Sequence, residues 1–185
     1  MFKKIVITGG LGYIGTELCK IYSGESWKNK ITVIDNRFIS ERVNQLRNWS
    51  IDFVHADIRS SDSVKQFLKE ADIVHHLAGI TDVARNKEES NIEKDKEMND
   101  VAEKGTSIVL SETSKSCKII FPSTHVVFEG QEEIDENIKE DHKKTPVLSY
   151  GTGKNKNEEQ IKRSGKNYII LRLASVYGYS TDTMR

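Results

Sequence analysis

Tyr150 and Lys154 lie four residues apart, so on a helix they project from one face. A free tyrosine, with a pKa near about 10, is a poor base at neutral pH. A neighbouring ammonium stabilises the phenolate and lowers that value. The tyrosine can then take a proton from a substrate hydroxyl or return one to a carbonyl. The lysine can also hydrogen-bond a ribose. Thr124 follows the apolar run Lys118-Ile119-Ile120-Phe121 and supplies a hydroxyl that could orient the reacting oxygen. Y-x-x-x-K alone is common and usually means nothing. Its weight comes from the rest of the chain.

That rest is organised around Thr8-Gly9-Gly10-Leu11-Gly12-Tyr13-Ile14-Gly15. Lys4-Ile5-Val6-Ile7 before it reads as a buried strand. Leu18, Ile21 and Tyr22 after it fall at helical spacing. Strand, glycine turn and helix in this order form the setting of a phosphate-binding motif. Gly10, Gly12 and Gly15 fit G-x-G-x-x-G, and Gly9, Gly12 and Gly15 fit G-x-x-G-x-x-G. The glycines admit unusual backbone angles and close approach of a pyrophosphate. The helix N-terminus offers N–H groups and partial positive charge. A second strand, Lys30 to Ile34, ends at Asp35, twenty residues past Gly15. An acid there can accept hydrogen bonds from ribose hydroxyls.

Strand and helix patterns alternate from there. Strands are expected at Ile51–Ala56, Ile73–Leu77, Lys118–Phe121 and Asn167–Leu173. Helices are expected over Ser60–Glu70, with Ser61 as its cap, over Ser107–Lys115, and from Tyr150 onward. The alternating charges of Arg85–Lys104 suit a solvated helix face. Gln131–Thr145 reads as an acidic-then-basic loop. Six or more strands with helical crossovers imply an α/β fold, a doubly wound parallel sheet of the Rossmann type with helices on both faces. Asp35, Asp57, Ala78 and Thr124 then lie at strand C-termini, where such sheets bind ligands.

The bulk numbers exclude other classes. The 185 residues carry 28 basic and 28 acidic side chains, so no surplus points to nucleic acid. No apolar run approaches a membrane span, and the N-terminus does not read as a signal peptide. Cys19 and Cys117, the two cysteines, imply no disulfide framework, and a cytoplasmic location is expected. His75-His76 reads as strand residues on opposite faces, not as metal ligands. Trp27 and Trp49 read as packing anchors, and His125 as a loop-entry residue.

The chain resembles the extended short-chain dehydrogenase/reductases, the NAD-dependent epimerase/dehydratase family, from Lys4 to Gly178. Thr8 to Gly15 is similar to T-G-G-x-G-F/Y-I/L-G. Asp57-Ile58-Arg59 is similar to the motif by the adenine, and His76-Leu77-Ala78-Gly79 to the one lining the cofactor. Ser123-Thr124-His125-Val126-Val127-Phe128 resembles the segment that carries the catalytic hydroxyl. Tyr150-Gly151-Thr152-Gly153-Lys154 resembles Y-x-x-x-K, and Leu171 to Gly178 resembles L-R-x-x-x-V-Y/F-G. The resemblance implies Thr124, Tyr150 and Lys154 as catalytic residues. It implies cofactor contacts from Gly9, Gly12, Tyr13, Ile14, Gly15, Asp35, Asn36, Asp57, Ile58, Leu77, Ala78, Gly79, Tyr150 and Lys154. Asp35 favours NAD over NADP, because a carboxylate repels a 2′-phosphate. Arg37 could soften that preference.

The implied chemistry is hydride transfer on a nucleotide sugar. The dehydratases of the family carry Asp-Glu after the catalytic threonine, where this chain has His125 and Val126. An epimerase, reductase or decarboxylase is therefore expected. Two further departures are Ala102, where the family often has asparagine before Gly105-Thr106, and Gly153, where serine or alanine is usual. The resemblance also implies a homodimer through helices near Ser107–Lys115 and Tyr150–Lys162. Residues 1–185 are expected to be the NAD(P)-binding Rossmann domain without the family's C-terminal substrate-binding region. On that reading apolar surface is exposed around Leu173–Tyr179 and turnover by the chain alone is low. The competing expectation is a dinucleotide-binding module that does no chemistry.

Overall fold

A computed structural model describes residues 3–24, 28–81, 89, 91–132 and 137–178. Trp27, residues 85–88 and 90 of the charged stretch, residues 133–136 of the loop and residues 179–185 lie outside the described residues.

Apolar residues that alternate along each strand are divided between the two faces of the sheet. In β1 (Lys3–Thr8), Ile5 and Ile7 enter one core cluster and Val6 the other. In β2 (Asn29–Asp35), Ile31 and Val33 go with the first and Ile34 with the second. The two clusters meet different helices. Cys19 of α1 (Tyr13–Ser23) and Val43 and Leu46 of α2 (Ser40–Asn48) cover one face. Val64 and Leu68 of α3 (Ser61–Leu68), Val109 of α5 (Thr106–Glu112) and Ile161 of α6 (Ser149–Arg163) cover the other. Each fully buried aliphatic side chain contributes about 1.5–3 kcal/mol, so the two apolar layers hold the sheet between them. Trp49 packs at the edge of the first cluster.

The remaining strands are β3 (Asp52–His55), β4 (Ile73–His76), β5 (Lys118–Thr124) and β6 (Asn167–Leu173). All pairings are parallel, in the order β3-β2-β1-β4-β5-β6. The strand order reverses between β1 and β4, which opens a crevice at their C-terminal ends. This is the doubly wound Rossmann arrangement expected from the alternation of elements.

Some local expectations change. β5 runs on through Pro122-Ser123-Thr124. Beyond Ile120 it no longer pairs with β4, so the proline's missing N–H breaks no bond on that side. Ser61 is not the cap of α3. Ser60 holds that position, its hydroxyl bonded to the Ser63 hydroxyl at 2.8 Å instead of capping a backbone N–H, and the Ser61 hydroxyl donates to Glu112 at 2.8 Å. The helix expected over Ser107–Lys115 is present and ends at Glu112. α4 (Ile92–Asp100) passes through a π-helical turn, Val101–Gly105, into α5. Side chains of α6 donate to carbonyls of that wide turn: Asn157 Nδ2 to Ala102 at 2.8 Å and Gln160 Nε2 to Glu103 at 3.2 Å. Among the described residues, no helix is long and apolar enough to cross a membrane.

Candidate active site

The glycine turn is shaped by close backbone approach. Gly9 has φ +71°, and a Cβ there would lie 2.7 Å from the backbone of Ala78. A Cβ on Gly15 would lie 2.5 Å from the carbonyl oxygen of Gly9. The N–H groups of the first turn of an α-helix have no acceptor within it. In α1 no side chain caps them, since Gly12 is the N-cap, and the first turn holds no acid. Uncapped donors beside a glycine cradle fit the pyrophosphate of a dinucleotide.

These groups face one cleft of about 1230 Å³ along the C-terminal ends of the strands. Gly9, Gly12, Tyr13, Ile14 and Gly15 line it from the first turn. Asp35 and Asn36 line it beyond β2, Asp57 and Ile58 beyond β3, and Leu77, Ala78 and Gly79 beyond β4. Thr124, Tyr150 and Lys154 close the far wall. Every residue expected to touch the cofactor or to act in catalysis therefore comes to the same cleft.

Asp35 is nearly buried, at 5% exposure, and is already engaged. Its Oδ2 accepts the Leu11 N–H at 3.0 Å, and its Oδ1 accepts the Arg37 N–H at 3.0 Å. It braces the glycine turn as well as facing the cleft. Arg37 also reaches it through Nε at 3.4 Å. At the next strand end Asp57 is gripped by Arg59, whose Nη2 lies 2.7 Å from its Oδ2. The Arg59 hydrogen bond holds the Asp57 carboxyl below the usual carboxylate range. Arg59 also reaches Asp100 at 3.0 Å, which ties this wall to α4.

His75 and His76 point to opposite faces. His75 shares a hydrogen bond with the Tyr22 hydroxyl at 2.8 Å. His76 joins the hydroxyls of Thr8 and Thr106, each at 2.9 Å. Burial lowers the two histidines to about 4 and about 3. The folded chain therefore binds fewer protons than the unfolded chain below about pH 6.5, and stability is lost as pH falls from there. An unfolding midpoint measured from pH 8 to 4 should start to drop near pH 6.5. A flat midpoint down to pH 5 contradicts this.

At the far wall, Lys154 Nζ donates to the Pro122 carbonyl at 2.8 Å and stands 4.5 Å from the centre of the Phe121 ring. Burial lowers it to about 8. The Tyr150 ring centre is 5.8 Å from that ammonium. Here the expected lowering of the tyrosine is not observed, because burial pushes the Tyr150 hydroxyl up. Thr124 Oγ1 accepts the Val126 N–H at 3.2 Å, starting a short 3₁₀ turn, His125–Phe128. The oxygen accepts one bond, and among the described residues none is recorded for its proton. His125 is exposed and its Nδ1 lies 3.3 Å from the Leu173 carbonyl oxygen.

The unusual glycines of α6 have packing reasons. A Cβ on Gly151 would lie 3.0 Å from the Val126 carbonyl oxygen. One on Gly153 would lie 3.3 Å from Asn99 Oδ1. The helix that carries Tyr150 and Lys154 thus lies close to the turn after Thr124 and to α4.

Sequence reasoning missed part of the lining. Leu173, Ala174 and Val176 form one flank, and Tyr13 donates its hydroxyl to the Gly178 carbonyl at 3.0 Å. Their place at and just beyond the C-terminal end of β6 is a usable signal. Glu97 and Val101 also line the cleft; they arrive through α4 and the π turn, which has no sequence signature. Val176 is 50% and Tyr177 93% exposed.

A family model described as the RmlD substrate binding domain matches residues 3–184. The chain belongs to this family, among the extended short-chain dehydrogenase/reductases. A putative UDP-glucose 4-epimerase of Methanocaldococcus jannaschii is 30% identical, over 96% of this chain and 57% of that protein. A dTDP-D-glucose 4,6-dehydratase of Dictyostelium discoideum is 31% identical, over 95% of this chain and 44% of that protein. Among solved structures, a UDP-glucuronic acid 4-epimerase from Bacillus cereus in complex with NAD superposes with a TM-score of 0.76. It is 24% identical, with 96% of this chain and 58% of that one covered. The chain spans about half the length of these similar proteins.

Proposed function

We propose that the chain binds NAD in this cleft and serves hydride chemistry on a nucleotide sugar, of the epimerase or reductase type. The observation that carries the reading is the convergence of the uncapped glycine turn with Thr124, Tyr150 and Lys154 on one cleft. The relatives add support, since their names are those of nucleotide-sugar enzymes and one is described with NAD. When bound, NAD supplies the hydride acceptor. The N–H groups at the start of α1 would hold its diphosphate, Asp35 a ribose, and Ile58 and the Leu77–Gly79 segment its flanks. Lys154 would turn protons not used on Pro122 toward a ribose. Tyr150 would exchange a proton with the sugar oxygen, and the Thr124 proton would orient that oxygen. His125 and Val126, in place of an acidic pair, argue against 4,6-dehydration. A homodimer through the α5 and α6 faces belongs to the same proposal. Light scattering at high concentration that shows only monomer counts against that part.

Asp35 should make NAD the preferred cofactor, because a 2′-phosphate would approach a buried carboxylate. Titrating both nucleotides should give tighter binding of NAD, and Asp35→Ala should narrow the difference. That variant also loses the brace on Leu11, so it should bind both less tightly. Tighter NADP binding by the unaltered chain contradicts the assignment. Following nicotinamide absorbance with a panel of nucleotide sugars then separates catalysis from binding without turnover.

A further inference from the structure

Glu158 lies one helical turn beyond Lys154, on the same face of α6. Its side chain has no solvent exposure, yet it is charged and fully bonded. Oε1 accepts from Ser123 Oγ at 2.6 Å and from Arg172 Nε at 3.0 Å. Oε2 accepts from Arg172 Nη2 at 2.9 Å and Lys144 Nζ at 3.2 Å. Such a cluster is a weak source of stability, since desolvation offsets much of the attraction and apolar side chains often do as well. Its geometry suggests another use. Lys154 holds the carbonyl of Pro122, and Glu158 holds the hydroxyl of the next residue, Ser123. Two successive turns of α6 thus grip two successive residues of β5, and Thr124 comes next. Arg172 also donates to the Glu140 carbonyl at 2.8 Å and stands 5.1 Å from the Phe128 ring centre. The loop and the 3₁₀ turn around the site are fastened to the same carboxylate.

We propose that Glu158 is a positioning residue: through Ser123 it sets the Thr124 hydroxyl against the helix that carries Tyr150 and Lys154. Its role in catalysis rests on the proposed function, but its effect on geometry does not. Lys154 has a second task in that proposal, toward a ribose. The Glu158–Ser123 bond has none, so it can hold the strand end throughout.

The test uses the 185-residue chain with labelled threonine methyl and tyrosine ring groups. Ser123→Ala removes the one hydrogen bond and leaves both cations on Glu158. The Thr124 methyl and Tyr150 ring signals should shift or broaden, while the Gly9, Gly12 and Gly15 amides and NAD affinity stay within twofold of the parent. Glu158→Gln, with Ser123 intact, keeps an acceptor for that hydroxyl and should leave the Thr124 signal nearer its parent position than Ser123→Ala does. A merely structural role would lower the unfolding midpoint and leave the Tyr150 ring signal, on a different element, in place, which would overturn the proposal. Glu158→Ala is a harsher change. If it does not fold, the Ser123→Ala and Glu158→Gln comparison still decides. Where the protein turns over a nucleotide sugar, Ser123→Ala should lower kcat by up to about 100-fold at nearly constant KM. Shifted signals without NAD binding in the parent chain would support the positioning role and count against the function. NAD binding with unmoved signals would do the reverse.

Discussion

Gly15→Val should remove dinucleotide binding and lower the unfolding midpoint together. The added Cβ would meet the Gly9 carbonyl oxygen at 2.5 Å and the Gly10 Cα at 2.6 Å. Both are backbone atoms, so no rotamer change relieves the overlap. Either α1 moves off the glycine turn or the turn opens. Overpacking of this kind costs about 3 kcal/mol or more, or roughly 10 °C in a chain of this size. Moving the helix also misaims the N–H groups of its first turn, and binding should fall by more than about 100-fold, or about 2.7 kcal/mol. Thermal unfolding with and without NAD measures both. A Gly15→Val chain with the parent's midpoint and the parent's NAD-induced shift would show that the close approach is unimportant.

Tyr150→Phe should have the larger effect on chemistry. The hydroxyl is the only group lost, and burial already disfavours its charged form. Binding of NAD should change less than twofold, and where the protein turns over a nucleotide sugar the rate should fall by about 10²- to 10⁴-fold. Lys154→Met differs in kind. It removes a buried ammonium, which burial disfavours, but leaves the Pro122 carbonyl without its donor. Stability should therefore change little. NAD affinity should drop by about 10- to 100-fold for loss of a charged hydrogen bond, and turnover should be lost as well. Near-full rate across the pH range in Tyr150→Phe would remove the phenolate from the mechanism. Parent-like NAD affinity in Lys154→Met would remove the ribose contact.

The strands, their order of appearance, the glycine turn and the strand-end positions of Asp35, Asp57, Ala78 and Thr124 were legible because short-range rules produce them, while the remaining cleft residues came from the family resemblance. The apolar, β-branched run Lys4-Ile5-Val6-Ile7 marked a buried strand, and glycines marked the turn. The misses depend on contacts between distant parts of the chain. The tie between Glu158 and Ser123 spans 35 residues, and nothing in the local pattern of α6 signals it. The π turn replaced a plain helix because α6 side chains satisfy its carbonyls. The upward shift of Tyr150 could not be read from Y-x-x-x-K. Spacing puts the lysine on the same face but does not tell how deeply the tyrosine is buried or that the lysine donates to Pro122.

The most direct test is a calorimetric titration of NAD into this chain beside its Gly15→Val variant. The account predicts saturable one-site binding to the parent chain, with NAD raising its unfolding midpoint, and no measurable heat of binding in the variant. No binding by the parent, or equal binding by both, would contradict it.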